Sequence, residues 1–374
     1  MISLVTRHFR LSLTFPLFIL VSFLSATIFA QAQTAPAATD SILPGLKPQD
    51  VSTDWKQMVG IYGHGKENVI ILERNRTLFW RVSDNPQLPI AQVLEVPIKA
   101  EPLGSYALAR SGLNDVPVSQ QKQDNGSVTA VIVGDKTFAR SDAGSDPSRV
   151  YHVAPVQPVA ELREKALKLS PPAEAGPFRK PELLELITLD PSIHLDIRYA
   201  SARNFLSTPV YTQARAFMQR PAAAALVRAL HKLEPFGYGL LIHDAYRPWY
   251  VTKIFWDATP SEGKIFVADP QKGSKHNRGC AVDLTLYDLA TGQPIEMPGL
   301  YDEMSPRSFP NFPGGTSLQR WHRDLLRRAM ESEGFTVNED EWWHFDYKDW
   351  KQYSILNVPF EKLAVSPQST AVSH

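Results

Sequence analysis

Two short stretches in the second half of the chain carry most of the residues that could do chemistry. Ser274-Lys275-His276-Asn277-Arg278-Gly279-Cys280-Ala281-Val282-Asp283 offers one imidazole and one carboxylate, and Glu341-Trp342-Trp343-His344 offers another of each. Two imidazoles and a carboxylate are a usual ligand set for catalytic zinc, which needs three protein ligands and an open position for water. Zinc lowers the pKa of such a water to about 7. A spare carboxylate could then take its proton and return it to a leaving amine. Spacing alone also allows the blander possibility that these are unrelated polar residues at strand ends. Against it, Glu341 beside two tryptophans would be costly to bury without a partner or a metal. Cys280 is the only cysteine of the chain. That excludes an intrachain disulfide and the Cys-based zinc sites, so a metal here must be held by His and carboxylates.

The elements that must position these groups read as strands. Across 280–286, Cys280, Val282, Leu284 and Leu286 share one face, while Ala281, Asp283 and Thr285 share the other. Cys280 therefore points away from Asp283 and reads as core rather than as a fourth ligand. Over Glu341 to Tyr347, His344 lies with Trp342 and Asp346. A regular strand would aim Glu341 and His344 oppositely, so Glu341 must precede the strand proper or the strand must bend. Gly279 lets the chain turn between His276 and Asp283. Around them, Gln219–Leu233 reads as an Ala/Leu-rich helix and Gly239–His243 as a buried strand. Leu318–Gly334 reads as an amphipathic helix stopped by its glycine.

The chain has 374 residues, with Lys+Arg and Asp+Glu equal at 39 each. A balanced charge leaves no electrostatic footprint for nucleic acid or an anionic membrane surface. Residues 1–32 read as a secretory signal: Arg7 and Arg10, an apolar run from Leu11 to Phe29, then Ala30-Gln31-Ala32. Retention as a membrane anchor is the rival reading, because the run is close to spanning length. Cleavage would leave no stable membrane insertion and place the protein in the periplasm or outside the cell. Residues 33–50 are expected to be a flexible spacer. Residues 51–153 are expected to form a small all-β domain, a barrel or sandwich, from short runs broken by Gly and Asn. His64 lies in it between two glycines and has no evident partner. A Pro-rich linker, 154–182, contains a short helix, Ala160–Leu169. A mixed catalytic domain spans 183–358, and a polar tail, 359–374, is expected to be disordered. The fold class expected is α+β, and nothing in the sequence fixes an oligomeric state.

From about Leu189 to Tyr347 the chain resembles the VanX-type D-Ala-D-Ala dipeptidases of the zinc D,D-peptidase family. Five blocks match in order: Asp196-Ile197-Arg198-Tyr199-Ala200 with Asn204-Phe205; Asp244-Ala245-Tyr246-Arg247-Pro248; Ser274 to Tyr287; Tyr301-Asp302 with Arg307-Ser308; and Glu341-Trp342-Trp343-His344. The resemblance implies a central antiparallel sheet flanked by helices and one zinc ion held by His276, Asp283 and His344. It implies that Glu341 is the general base and acid and that Arg247 stabilises the tetrahedral intermediate. A guanidinium suits that role, since it is always charged and donates a fork of hydrogen bonds. Ser274 and Asp302 match the family's contacts to the substrate ammonium, and Tyr199 is a further pocket residue or part of an aromatic core.

The match has departures. Asn277 stands where serine is common, His243 where an aromatic is usual, and the segment between Arg247 and Ser274 is short. The expected activity is zinc-dependent hydrolysis of a small D,D-dipeptide. The alternatives are a D,D-carboxypeptidase or L,D-endopeptidase acting on peptidoglycan stem peptides and, in another class, an inactive zinc-containing cell-wall-binding module. A pure binding module would need neither Glu341 nor Arg247. No nucleophile-elbow pattern supports a serine hydrolase.

Overall fold

The computed structural model describes residues 42–65, 68–82, 94–100, 105–109 and 115–363. The expected signal segment 1–32, the first part of the expected spacer and the end of the expected tail lie outside the described residues.

A short helix, α1 (Thr53–Met58), leads into eight strands that each pair antiparallel with the next. They are β1 (Gly60–Tyr62), β2 (Val69–Arg74), β3 (Thr77–Val82), β4 (Leu94–Ala100), β5 (Tyr106–Leu108), β6 (Val116–Lys122), β7 (Val128–Val133) and β8 (Lys136–Ala139). Asn75 and Arg76 both take positive φ, which lets β2 and β3 join through a two-residue turn. The sheet closes on itself: Gly63 N donates to Ala139 O at 2.8 Å and Ser141 N to Ile61 O at 2.9 Å. Of the two expected forms, then, the barrel is the one adopted. Joining the first strand to the segment after the last covers both edges of the sheet. Met58, Tyr62, Ile71, Leu78, Trp80, Ile98, Val118 and Val131 fill it.

The second sheet has the order β10 (His194–Leu195), β12 (Tyr238–Asp244), β13 (Ala281–Asp288), β15 (His344–Tyr347), β14 (Phe335–Val337). Four of its strands are antiparallel neighbours, as expected, but β10 runs parallel to β12 and makes the sheet mixed. A separate pair joins β9 (Leu183–Glu185) to β11 (Phe217–Gln219). Helices α3 (Arg220–Leu233) and α5 (Ser317–Glu331) pack on each other, α3 against β12 and α5 against β13 and β14. In α5, Thr316 and Gln319 form a capping box, and Trp321, Leu325, Leu326, Ala329 and Met330 make the buried stripe. Val282, Leu284 and Leu286 of β13 join the same large core.

Parts of the three segments read from the sequence as spacer, linker and tail pack onto this core. In residues 42–50, Ile42 is buried, Gly45 O accepts from Trp321 Nε1 at 3.0 Å, and Lys47 lies over the Tyr238 ring. In residues 154–182, helix α2 (Val159–Ala166) buries Val159, Leu162 and Ala166, packing on α4 (Trp249–Ala258). Beyond Pro359, Phe360 is buried against Tyr211 and Phe217. Each carries apolar residues with somewhere to go, which outweighs a Pro-rich or polar composition. No helix among the described residues is long and apolar enough to cross a membrane.

Candidate active site

The sheet register builds the site. Asp283 on β13 lies directly opposite His344 on β15 and, on its other side, opposite Asp244 on β12. Directly opposed residues project on the same face, so the three side chains form a row. The register of β12 against β13 shifts between Ile242 and Asp244, leaving His243 as an extra residue, and that bulge brings Asp244 into the row. His276 comes from the turn before β13. That turn closes with Gly279 at φ 68°, where a Cβ would meet Leu183 Cδ2 at 2.5 Å. Glu341 precedes the last strand, which begins at His344. It lies in the loop joining β14 to β15, and this resolves the parity conflict seen in the sequence.

His276 Nε2, Asp283 Oδ1 and His344 Nδ1 form a nearly equilateral triangle. The edges are 3.2 Å from His276 to Asp283, 3.1 Å from His344 to Asp283, and 3.1 Å between the two histidines. Donors about 2.0–2.2 Å from one small cation in tetrahedral coordination span edges of about this length. All three residues are buried, and their ligand atoms make a cluster that could hold a metal ion. Asp283 Oδ1 has no hydrogen-bond partner, an orphan that a cation would satisfy.

The surroundings fix the tautomers. His276 Nδ1 lies 2.6 Å from Ala245 O, which can only accept, so the proton is on Nδ1 and the Nε2 lone pair is free. His344 Nε2 lies 2.9 Å from Asp346 Oδ1, which turns Nδ1 towards Asp283. Asp346 is in turn paired with Lys275 at 3.1 Å. Burial works against a charged His344, but Asp346 and Asp283 outweigh it and lift its pKa to about 10. The pocket thus favours positive charge where the two strands meet. Asp283 Oδ2 accepts from Tyr301 Oη at 3.1 Å.

Arg247 is buried beside this row. Its Nε donates to Asp244 Oδ2 at 2.8 Å, and one terminal nitrogen lies 3.5 Å from Asp283 Oδ2. Asp244 is held by Tyr211 Oη at 2.7 Å, so the guanidinium is aimed by a buried partner. Glu341 Oε2 accepts from Asn338 Nδ2 at 3.0 Å and lies 3.5 Å from His344 Nδ1. Burial lifts the Glu341 carboxyl to about 7, against the pull of His344, a value suited to taking and returning a proton near neutrality.

One cavity, of about 220 Å³, is lined by Tyr199, Arg247, Ser274, His276, Asp283, Asp302, Glu341 and His344, so all eight expected site residues meet there. Asp302 is partly buried at φ 59°, and its Oδ1 accepts from Tyr199 Oη at 2.9 Å. Its Oδ2 is buried without a partner. Burial, with the nearby Asp283 charge, pushes its carboxyl well above the usual range. A carboxylate so placed is short of a cation. Ser274 Oγ accepts from His276 N at 3.2 Å at the same rim. Phe205, Phe255 and Trp343 supply apolar wall.

Asp244, Tyr301, Asn338 and Asp346 had no role assigned from the sequence. Asp346 shares His344's strand face, and Asp244 and Tyr301 stand inside matched blocks, so their positions were visible but their partners were not. Cys280 is buried in the core on the opposite face, and burial pushes its thiol up to about 12. Asn277 bridges two loops, donating to Arg247 O at 2.9 Å and accepting from Ser274 N at 2.7 Å. His243 stacks on Tyr301 with ring centroids 4.4 Å apart. His64 is exposed and does not line the cavity.

Comparison with known proteins matches the D-Ala-D-Ala dipeptidase model of peptidase family M15 to residues 179–366. The D-alanyl-D-alanine dipeptidase of Escherichia coli K12 is 34% identical over 192 residues, covering 51% of this chain and 97% of that protein. The enzyme of the same name from Enterococcus faecalis is 34% identical over 185 residues, covering 43% and 90%. That from Streptomyces coelicolor is 34% identical over 175 residues, covering 42% and 87%.

Proposed function

Because the chain belongs to the D-Ala-D-Ala dipeptidase family of metallopeptidases, we propose that it uses one zinc ion, held by His276, Asp283 and His344, to hydrolyse D-Ala-D-Ala or a closely related D,D-dipeptide. The observation that carries this reading is the closed triangle of His276 Nε2, Asp283 Oδ1 and His344 Nδ1, with Glu341 beside it. Zinc bound there would supply Lewis acidity and an activated water.

The chain's own residues divide the remaining work. Glu341 Oε2 takes the proton of the attacking water and returns it to the departing amine, so one carboxyl whose pKa is near 7 serves both steps. Arg247 lies beside Asp283 with its guanidinium held by Asp244, ready to donate to the oxyanion of the tetrahedral intermediate. Asp302, with Tyr199 fixing one oxygen, and Ser274 accept the substrate ammonium through charge-assisted bonds. A buried carboxylate without a cation favours substrates that bring a free amino terminus and disfavours acylated ones. Such organised proton and oxyanion groups speak against an inactive binding module. The basic, apolar and small-residue start of the sequence supports export to the periplasm or beyond, where wall-derived dipeptides would be met.

The test is a substrate panel with the purified zinc-loaded protein: D-Ala-D-Ala, L-Ala-L-Ala and a muramyl pentapeptide. Turnover of the free D,D-dipeptide alone is the expected result. Turnover of the pentapeptide without the free dipeptide would move the activity to the D,D-carboxypeptidase class.

A further inference from the structure

The barrel lies outside the segment matched by the family, yet the stretch of chain that follows it is bonded to residues flanking the substrate pocket. After β8 the backbone runs along the loop that carries Tyr301 and Asp302. The Asp142 side chain is buried, and its carboxylate accepts from Arg140 Nε at 2.9 Å and Gly144 N at 2.7 Å. The same carboxylate pairs with Arg307 at 3.2 Å, and Arg307 also donates to Gly144 O at 2.6 Å and to Pro298 O at 2.9 Å. Arg307 lies 3.6 Å from Glu303, whose other oxygen accepts from Leu300 N at 2.9 Å. Asp302 is therefore flanked by a buried charge network that ends on the barrel.

The other half of the ammonium pair is held from the same place. Arg198, next to Tyr199 in sequence, donates to Pro147 O at 3.1 Å and to Arg149 O at 3.3 Å. Further on, Val153 N donates to Phe205 O in the pocket wall at 2.9 Å. Tyr199 and Asp302 are thus joined by their own 2.9 Å hydrogen bond and separately tied, through neighbouring arginines, to one eight-residue segment.

We propose that residues 142–149, where the chain leaves the barrel, position the Tyr199–Asp302 pair and so set how tightly the pocket holds a substrate ammonium. The barrel then acts as a built-in support for specificity. This inference rests on the dipeptidase reading given above. Asp142, Arg198 and Arg307 act through Tyr199 and Asp302 and are positioning residues; none touches the substrate.

The experiment compares D142N and Arg198→Met with a control, Lys122→Ala, which removes an exposed pair with Asp54 that makes no contact with residues 142–149. Steady-state kinetics are measured on D-Ala-D-Ala and on its N-acetyl derivative, with amide hydrogen exchange over 299–309. Expected for both variants is a KM for the free dipeptide raised about tenfold, with kcat within about twofold. The preference for the free over the acetylated dipeptide narrows by the same factor, and exchange over 299–309 speeds up while 276–283 stays protected. K122A behaves as wild type. Unchanged KM and selectivity, even with lowered thermal stability, would overturn the proposal and leave the network a purely structural one. If D142N does not fold, R198M, whose side chain lies outside the barrel, decides alone. A wild-type protein inactive on D-Ala-D-Ala would instead sink the dipeptidase reading itself, a result distinguishable from unaltered kinetics in the variants.

Discussion

Replacing Asp302 by Asn separates binding from stability in a way that few substitutions here can. The change is nearly isosteric, and Asn tolerates the φ of 59° at this position as readily as Asp does. What it removes is the negative charge facing the substrate ammonium. A hydrogen bond to a charged group is worth roughly 1.5–3 kcal/mol, so kcat/KM on D-Ala-D-Ala should fall roughly ten- to 150-fold. The loss should appear in KM, because the ammonium is held equally in the ground and transition states. Stability should move the other way. Burial, aided by the Asp283 charge, raises the Asp302 pKa in the folded protein well above its ordinary value. A carboxyl with a raised folded pKa costs stability once the pH exceeds its unfolded pKa, and that cost disappears as the pH falls. A metal at the site would neutralise the Asp283 share, but the burial share would stay. A neutral Asn relieves it, so the melting temperature of substrate-free D302N should match or exceed wild type at pH 7. The assays are steady-state kinetics and thermal unfolding on the same preparations. An unaltered KM, or a melting temperature clearly below wild type, would refute the idea that Asp302 is a buried charge kept for the substrate.

Glu341→Ala should lose turnover while its zinc content stays at that of wild type, measured by metal analysis beside the dipeptide assay; surviving activity would remove Glu341 from its role. Asp346→Asn weakens the partner that orients His344, so zinc affinity measured by chelator competition should drop about ten- to 100-fold. Arg307 and Arg140, outweighing the cost of burial, hold the Asp142 carboxyl below its ordinary value near 3.8. A depressed folded pKa gives stability that is present above the unfolded pKa and lost as the pH falls through the folded one. Urea midpoints of wild type and D142N should therefore differ at pH 7 and converge below about pH 4; a gap that stays constant with pH would show that Asp142 contributes no ionisation-linked stability.

Much of the site could be read from the sequence because its parts sit on short strands with strict periodicity. Once β13 was recognised, alternation alone sent Cys280 to the core and Asp283 to the other face, and the structure places both accordingly. Periodicity could not give the register between strands. That His344 faces Asp283 across the sheet, and that a bulge at His243 brings Asp244 alongside, depends on pairing between residues far apart in sequence. For the same reason Tyr301 and Asp346 had no assigned partners, although both stand close to residues that did. The barrel was legible as strands and turns, but its closure between Ile61 and Ser141 joins positions that no local pattern connects. In the Pro-rich linker the helix was legible but its packing partner was not. Val159, Leu162 and Ala166 recur at helical spacing within the Pro-rich stretch, and that stripe packs on the core.

The most direct measurement is a crystal of the zinc-loaded protein with diffraction recorded on both sides of the zinc absorption edge. The account predicts one anomalous peak per chain, about 2.0–2.2 Å from His276 Nε2, Asp283 Oδ1 and His344 Nδ1, with Glu341 free beside it. A peak at any other set of residues, or none in a preparation that hydrolyses D-Ala-D-Ala, would contradict it.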